Sequence, residues 1–490
     1  MRISNITKGA ANVNIHSRIE QHRRTGRNVA ALFLVFALTA CASFSPDGGF
    51  NAIEQSAREH LRKDVVRMNT PEAVDSVVRR VAELIAKPLT VEDAVQIALL
   101  NNRGLQASFQ ELGISEAELV QAGRLSNPHF AMLRLRNNNE YKIEQALTFN
   151  LMSLLIMPQV SEMEQRRFAR TQRAVTEDVI ALAAATRKAY FNALAAEESL
   201  RYMGQVRSAA EAGAELGRRM AQAGNWNRLM QAREQGFYAD AALNLARAEQ
   251  VRQASREKLT RHMGLWGEQI QFRLPERLPD LPETAIDLPD VEHKAIAQRL
   301  DVQAARLDTE ALAKNLGLTR TTRFINALEL GPARALEGHK NDPYKRGYEV
   351  SFELPIFDWG TARVARAEAI YMQAVHRAAQ TAIEARSEVR EAYRGYRGNY
   401  DMARHLRDEI VPLRKRISEE NLLRYNGMLI GVFDLLADAR SQVLGVNSYI
   451  EALRDFWLAQ ADLDMAMLGK PSLNTPVSGG ASAADASAGH

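Results

Sequence analysis

The chain repeats itself at a constant offset. Phe149 and Leu151 recur as Phe352 and Leu354, and both separations, 352 − 149 and 354 − 151, equal 203 residues. The same offset relates further matched residues: Ala189 and Ala392, Tyr190 and Tyr393, Gly224 and Gly427. An offset kept over about 75 residues is typical of an internal repeat. The sequence therefore predicts two copies of one unit, each with a strand pair followed by a very long helix.

Strands are predicted where apolar and polar residues alternate with period two. They cover 129–136 and 141–151 in the first copy, and 323–330 and 347–354 in the second, where 331–346 is predicted to be a longer loop. The alternation gives each strand pair one apolar face and one polar face. The acidic residues Glu144, Glu349 and Glu353 lie on these polar faces.

Helices are predicted for most of the remaining residues. Thr90 is expected to cap a helix that runs towards Gly123. Further helices are expected at 161–223, 226–263, 291–318, 360–426 and 431–468. A helix of sixty-odd residues is about 95 Å long, which no single globular core requires. Pro412 lies inside the helix 360–426 and is expected to kink or loosen one of its turns.

The repeat divides the chain into six predicted segments. Residues 1–40 form a leader and 41–88 a partly helical lead-in, and a proline-rich linker at 274–290 separates the two copies. The copies themselves span 89–273 and 291–469. The tail at 470–490 is rich in Ser, Gly and Ala and is predicted to be disordered.

The leader has the features of an export signal. A basic cluster at 18–27 precedes an apolar run at 29–40, which is too short for the roughly 20 residues of a membrane-spanning helix. The following Leu38-Thr39-Ala40-Cys41 resembles the lipobox of bacterial lipoproteins, which implies that the Cys41 thiol takes a diacylglycerol. The alternatives are a nucleic-acid-binding basic arm and an inert, buried cysteine. The position of the single cysteine directly after the apolar run favours lipid attachment.

Composition limits the classes of partner. With 63 basic and 59 acidic residues the net charge is only +4, which argues against nucleic acid. No other stretch is apolar enough for a transmembrane helix. If the chain spans a membrane, its strands must therefore form the membrane-spanning part. Four strands would leave open edges in lipid, whereas the strands of two or three chains would give a closed sheet of eight or twelve.

Several motifs together resemble those of the outer membrane efflux (TolC) family. They are Leu354-Pro355-Ile356-Phe357-Asp358-Trp359-Gly360 before a long helix, Tyr425-Asn426-Gly427, and the segments 409–412, 434–439 and 466–469. The resemblance covers roughly residues 89–469. It implies a mainly α fold with a small β part, in which three chains form a twelve-stranded outer-membrane β-barrel over an α-helical periplasmic barrel.

The resemblance also implies a function and partners. Such a homotrimer is the exit duct of a tripartite efflux or secretion system, lipid-anchored in the outer membrane of a Gram-negative bacterium and extending into the periplasm. A periplasmic adaptor protein and an inner-membrane pump are the implied partners, and no cofactor is expected. The exported substrate and the class of pump are not encoded in recognisable motifs.

In this family the tip between the last two long helices forms a periplasmic gate. The matching residues here are Tyr425, Asp434 and Asp438, and the two carboxylates are four residues apart and so share a helix face. This chain departs from the usual pattern, because Ala437 occupies a position that is often acidic. The apolar segment 428–430 is alternatively a surface for an adaptor. Asp434 is alternatively a carboxylate favoured by the helix dipole.

Other kinds of site are disfavoured. His339 and Asp342 share one loop, but exposed loops commonly carry such residues, and no metal site is predicted. The chain has no P-loop, HExxH motif or nucleophile elbow, so no catalytic activity is expected. The main alternative function is a lipid-anchored periplasmic scaffold or adaptor, built on a coiled coil without a pore. Duplicated amphipathic strands at matched positions favour the duct.

Overall fold

The computed structural model describes residues 42–324 and 327–472. It is mainly helical with one small sheet, as the sequence predicts. The helices are α1 (Phe50–Leu61), α2 (Pro71–Ile85), α3 (Val91–Asn101), α4 (Arg103–Ala122), α5 (Leu151–Gln222), α6 (Arg228–Met263), α7 (Val291–Gln298), α8 (Leu300–Thr321), α9 (Thr361–His405), α10 (Val411–Asn426) and α11 (Val432–Leu468). The strands are β1 (His129–Asn137), β2 (Glu140–Asn150), β3 (Leu328–Gly338) and β4 (Lys345–Phe352).

The chain divides into two compact units, and both predicted copies contribute to each. The sheet unit comprises 42–48, Ile114–Arg166 and Ala311–Tyr371, and the helical unit comprises Gly49–Gly113, Arg167–Glu310 and the chain from Met372 onward. The predicted leader, its Cys41 and residues 473–490 of the predicted tail lie outside the described residues. Within the described ranges, no helix combines the length and the apolar composition that a membrane span needs.

The four strands form one antiparallel sheet in the order β1-β2-β3-β4. Three of the four predicted strands lie within two residues of their observed ends, but the third in chain order was misplaced. Residues 331–338 belong to β3 and not to a loop. The error has a physical cause, because Gly331 and Pro332 resemble turn residues in the sequence. Pro332 has no N–H to donate, and the β2–β3 ladder is interrupted where Leu147 and Thr148 face this pair.

Side-chain caps set several helix ends. The Thr90 hydroxyl accepts the N–H of Asp93 at 3.1 Å, which confirms the predicted start of α3. Asn102 breaks the single helix predicted towards Gly123, because its side chain accepts the N–H of Leu105 at 3.0 Å and so starts α4. The helix α5 begins at Leu151 rather than near 161, since Asn150 accepts the N–H of Ser153 at 2.9 Å.

A loosened turn precedes Pro412, as the sequence predicts. Residues Leu406–Ile410 form a π-helical segment between α9 and α10, and the N–H of Val411 bonds the carbonyl of Leu406. Proline cannot donate the hydrogen bond that a regular helix would require at its position. The wider turn therefore accommodates the missing donor without ending the helix.

The helical unit has its core around Phe456, which is fully buried. Its ring lies 5.5 Å from the ring of Tyr396 and 5.8 Å from that of Tyr400, measured between centroids. The two tyrosine hydroxyls also bind the proline-rich segment: Tyr396 accepts the N–H of Ile286 at 2.9 Å, and Tyr400 donates to the carbonyl of Glu283 at 2.7 Å. The predicted linker is thus fixed to the helices by two tyrosines of α9.

Candidate functional site

The turn between α10 and α11 carries the candidate gate residues. The N–H of Met428 bonds the carbonyl of Tyr425 at 2.9 Å, and the N–H of Leu429 bonds that of Arg424 at 2.8 Å. Met428 has a φ of 59°, an uncommon conformation for a residue with a side chain. Met428 and Leu429 are 94% and 77% exposed, so two large apolar side chains project from the turn.

Asp434 lies at the start of α11 and is exposed. Its carboxylate accepts the N–H of Gly431 at 3.2 Å, which helps to satisfy the free donors at the helix start. The structure therefore gives Asp434 a local capping role, in line with the alternative drawn from the helix dipole. A role in a gate stays a prediction for this residue.

Asp438 follows one turn later and has different surroundings. One of its carboxylate oxygens is buried and has no hydrogen-bond partner among the described residues. Tyr425, on the other side of the turn, is 38% exposed. In the described part of the chain, no hydrogen bond or ion pair joins Tyr425 to either carboxylate. The three predicted residues thus lie around one turn without forming a bonded cluster within one chain.

A buried ion pair lies close to this turn, and the sequence did not reveal it. Glu234 of α6 is only 1% exposed, and its carboxylate lies 2.5 Å from the guanidinium of Arg440 in α11. The same guanidinium lies 4.6 Å from the ring centroid of Phe237. The pair therefore fastens the last helix to the first helical hairpin, which α5 and α6 form.

Small residues allow these helices to approach one another. A Cβ added to Gly213 of α5 would lie 3.5 Å from a carboxylate oxygen of Glu234 and 3.7 Å from Leu436. A Cβ on Gly445 of α11 would lie only 2.6 Å from Cδ of Arg414, whose guanidinium donates to the carbonyl of Ser441 at 2.7 Å. Larger side chains at Gly445 would displace Arg414 from its place between α10 and α11.

The 203-residue offset gives a signal that could have found Glu234, although not its partner. Glu234 lies 203 residues before Ala437, so it occupies in the first copy the position where the second copy lacks an acidic residue. Its partner is 206 residues away in the chain. Because no local pattern links residues so far apart, the pair itself could not be read from the sequence.

A cavity with a volume of about 970 Å³ is lined in part by Arg440. It lies within the helical unit, between α5, α6 and α11, and small side chains such as Ala195, Ala241 and Ala248 form part of its wall. The described residues contain no group of three or more His, Cys, Asp or Glu side chains arranged to hold a metal ion.

Comparisons with known proteins found a curated relative of similar sequence and solved structures of similar fold. No family model matches the chain. The chain is 26% identical over 290 residues to the cobalt-zinc-cadmium resistance protein CzcC of Cupriavidus metallidurans, a match that covers 56% of this chain and 64% of CzcC. The chain thus spans less than two thirds of this curated relative.

Solved structures of other proteins have a fold similar to that of this chain. A membrane protein from Pseudomonas aeruginosa has a TM-score of 0.67 at 19% identity, over 77% of this chain and 93% of that one. The CmeC outer membrane channel of Campylobacter jejuni has a TM-score of 0.67 at 17% identity, over 77% and 85% of the two chains. The resemblance to outer membrane efflux channels that the sequence motifs indicate is therefore confirmed at the level of the fold.

Proposed function

We propose that the chain is the outer-membrane exit duct of a tripartite efflux or secretion system. The observation that carries the proposal is the shared fold with an outer membrane channel over about three quarters of the chain, with a TM-score of 0.67. The match to a metal-resistance protein supports an efflux role in particular. The duct performs no chemistry, and its partners are an inner-membrane pump and a periplasmic adaptor protein.

We further propose that three chains pool their strands into a twelve-stranded barrel. The sheet of one chain ends in two edge strands, β1 and β4, whose outer backbone groups have no partner strand within residues 42–324 and 327–472. Such edges favour pairing with another chain. All five acidic residues of the strands lie on one face of the sheet, where a barrel would hold water. Cys41 would anchor each chain to the same membrane through its lipid.

In this trimer the turn between α10 and α11 would close the periplasmic end. Three copies of Asp434 would place three exposed carboxylates around the axis, with Asp438 one turn further along and Tyr425 beside them. Mutual repulsion would favour separation of the three tips, and bound cations would hold them together. The buried Glu234–Arg440 pair would make α11 move with the first hairpin when the tips separate. An acidic ring fits a cationic substrate, in line with the name of CzcC.

Conductance in planar bilayers tests both the duct and the gate. The purified full-length protein is expected to form ion-conducting channels, whereas a scaffold without a pore would form none. With Mg²⁺ on the periplasmic side, Asp434→Ala is expected to open more often than the wild type, because it lacks the carboxylates that bound cations would hold together. Its opening is also expected to change less when Mg²⁺ is removed. Asp455→Ala is the matched control, because Asp455 is a half-buried carboxylate in the same helix and its side chain, 43% exposed, lies more than three turns from the tip. Equal opening of wild type and Asp434→Ala would rule out the gate role but not the duct.

A further inference from the structure

The two faces of the sheet carry different charges. Side chains alternate between the faces along each strand, and the pairing register places each residue on one of them. One face, here called the carboxylate face, carries five glutamates and two lysines of the strands: Glu140, Lys142, Glu144, Glu329, Glu337, Lys345 and Glu349. The other, here called the arginine face, carries every arginine of the four described strands and no acidic residue: Arg134, Arg136, Arg334 and Arg346.

The arginine face is itself divided along the strands. Its rows nearest α5 hold only apolar residues and Tyr348: Phe130, Leu147, Phe149, Leu328, Leu330, Pro332, Tyr348, Val350 and Phe352. Phe357 and Trp359, which follow β4 in the chain, are also exposed. The four arginines lie in the rows nearest the β1–β2 and β3–β4 turns. The same face therefore passes from an apolar band to a basic end.

The basic end contains an unfavourable pair. Arg334 and Arg346 are direct cross-strand partners, and like charges in that position destabilise a sheet. Among the described residues none of the four arginines forms an ion pair with a carboxylate. On the carboxylate face, by contrast, Lys142 lies 3.0 Å from Glu144 and Lys345 lies 3.5 Å from Glu337.

Tyrosine rings hold three of these arginines in place. The guanidinium carbons of Arg134 and Arg136 lie 5.9 Å and 5.4 Å from the ring centroid of Tyr141. That of Arg334 lies 4.9 Å from the ring centroid of Tyr344. A guanidinium stacked on a ring keeps its N–H groups at the edge of its plane, where an anion can accept them. The basic end is thus preorganised for a ligand with acceptor oxygens.

We propose that this basic end binds the phosphate groups of lipid headgroups in the membrane leaflet nearest the strand turns. The proposal rests on the proposed function, which places the apolar band of the same face in the hydrocarbon. Arginine binds phosphate by paired, charge-assisted hydrogen bonds, and a phosphate between Arg334 and Arg346 would remove their repulsion. A lipid fits the basic end better than a soluble anion does, because the adjoining apolar band on the same face would contact the acyl chains of the lipid.

Retention of diphosphoryl lipid A by the full-length protein tests the proposal. The protein is purified in detergent, incubated with this lipid and analysed by native mass spectrometry. The wild type is expected to retain the lipid, and Arg334→Gln/Arg346→Gln to retain it at least tenfold less. Lys142→Gln/Lys345→Gln removes the same charge from the carboxylate face and is expected to retain it like the wild type. Arg134→Gln/Arg136→Gln on β1 provides a second variant if the first does not assemble.

The outcomes separate this proposal from the proposed function. Equal retention by wild type and both arginine variants, or an equal loss in the lysine control, would overturn the lipid site. Inorganic phosphate at millimolar concentration that displaces lipid A completely would also overturn it, because the headgroup alone would then account for binding. Channels formed by a wild type that retains no lipid A would overturn the lipid site and leave the duct in place. A wild type that retains lipid A but forms no channels would overturn the duct and leave the lipid site in place.

Discussion

At the scale of single residues, the helical unit contains another buried ion pair besides that of Glu234 and Arg440. Lys188 of α5 donates to the Asp462 carboxylate of α11 at 2.7 Å and to the carbonyl of Ser472 at 2.8 Å. Both side chains are about nine-tenths buried. Burial raises the pKa of Asp462 above its ordinary value, and the hydrogen bond from Lys188 opposes this rise without cancelling it. The hydrogen bond from Lys188 therefore favours the ionised carboxylate against the effect of burial.

Lys188→Met tests this effect of Lys188. Removing one partner of a buried pair typically costs about 3–5 kcal/mol, because an unpaired charge remains buried. The pKa of Asp462 is already raised in the folded state and is expected to rise further in the variant. A raised carboxyl pKa contributes stability below the unfolded value of 3.8, and that stability is lost as pH rises through the folded-state pKa. The difference in unfolding free energy between variant and wild type is thus expected to grow from pH 4 to pH 7.

Urea unfolding followed by circular dichroism at several pH values measures this difference. Lys415→Met is the control, because the side chain of Lys415 is 71% exposed and its pair with Glu419 is a surface contact. A loss that is the same at pH 4 and pH 7 would show that Asp462 does not carry the effect.

The residue scale also shows what sequence can and cannot predict. The cap at Thr90 was predicted because capping depends on residues three positions apart. The candidate residues Tyr425, Asp434 and Asp438 were brought around one turn as expected, since they are close in sequence. Ion pairs that join different helices were missed, because nothing in the local pattern of Glu234 or Lys188 indicates which distant residue will lie beside it.

At the scale of elements, the misplaced strand β3 shows how packing can override a turn signal. A Cβ at Gly331 would lie only 1.8 Å from the carbonyl oxygen of Leu147 in β2, so this glycine permits a close backbone approach. Sequence alone does not distinguish such a glycine from one that supplies a turn. The helical elements were easier to predict, since their apolar spacing extends over many turns and does not depend on a single contact.

Gly331→Ala is therefore expected to weaken the sheet strongly. The methyl group has no space unless β2 and β3 separate, and overpacking of this kind costs about 3 kcal/mol or more. Gly347→Ala is the matched control, because a Cβ at Gly347 in β4 would meet no atom within 4 Å. The measurement is the temperature at which the proposed trimer, solubilised in detergent, dissociates on gels. The Gly331 variant is expected to dissociate well below the wild type and the Gly347 variant near it, and equal temperatures for all three would contradict the argument.

At the scale of the whole molecule, the open sheet edges make assembly the central question. The edge strands β1 and β4 run antiparallel across the sheet, so β1 of one chain can pair with β4 of the next and continue the same alternation of faces. Three chains would close the sheet with twelve strands, whereas one chain cannot close four. The sequence predicts an internal repeat, whereas the number of chains is implied only by the resemblance to the family.

Disulfide cross-linking can count the chains. Cys41 is the only cysteine of the chain. If its thiol carries the lipid, a variant with one added cysteine in β1 and one in β4 has no other free thiol that could form a disulfide. Met132→Cys is combined in turn with Tyr348→Cys, Val350→Cys and Phe352→Cys, because all four side chains lie on the arginine face and the register between chains must be found by scanning. In one combination the paired Cα atoms should come within about 4.4–6.8 Å and the bond should form.

That combination is expected to give bands of one, two and three chains on denaturing gels, and no larger species, because the third bond closes the ring. Met402→Cys combined with Val350→Cys is the control, since Met402 is an exposed residue of α9 and not part of an edge strand. It should give no ordered ladder. A ladder that continues past three chains would indicate an open assembly, and the absence of any cross-link between β1 and β4 in all combinations would contradict closure by these edges.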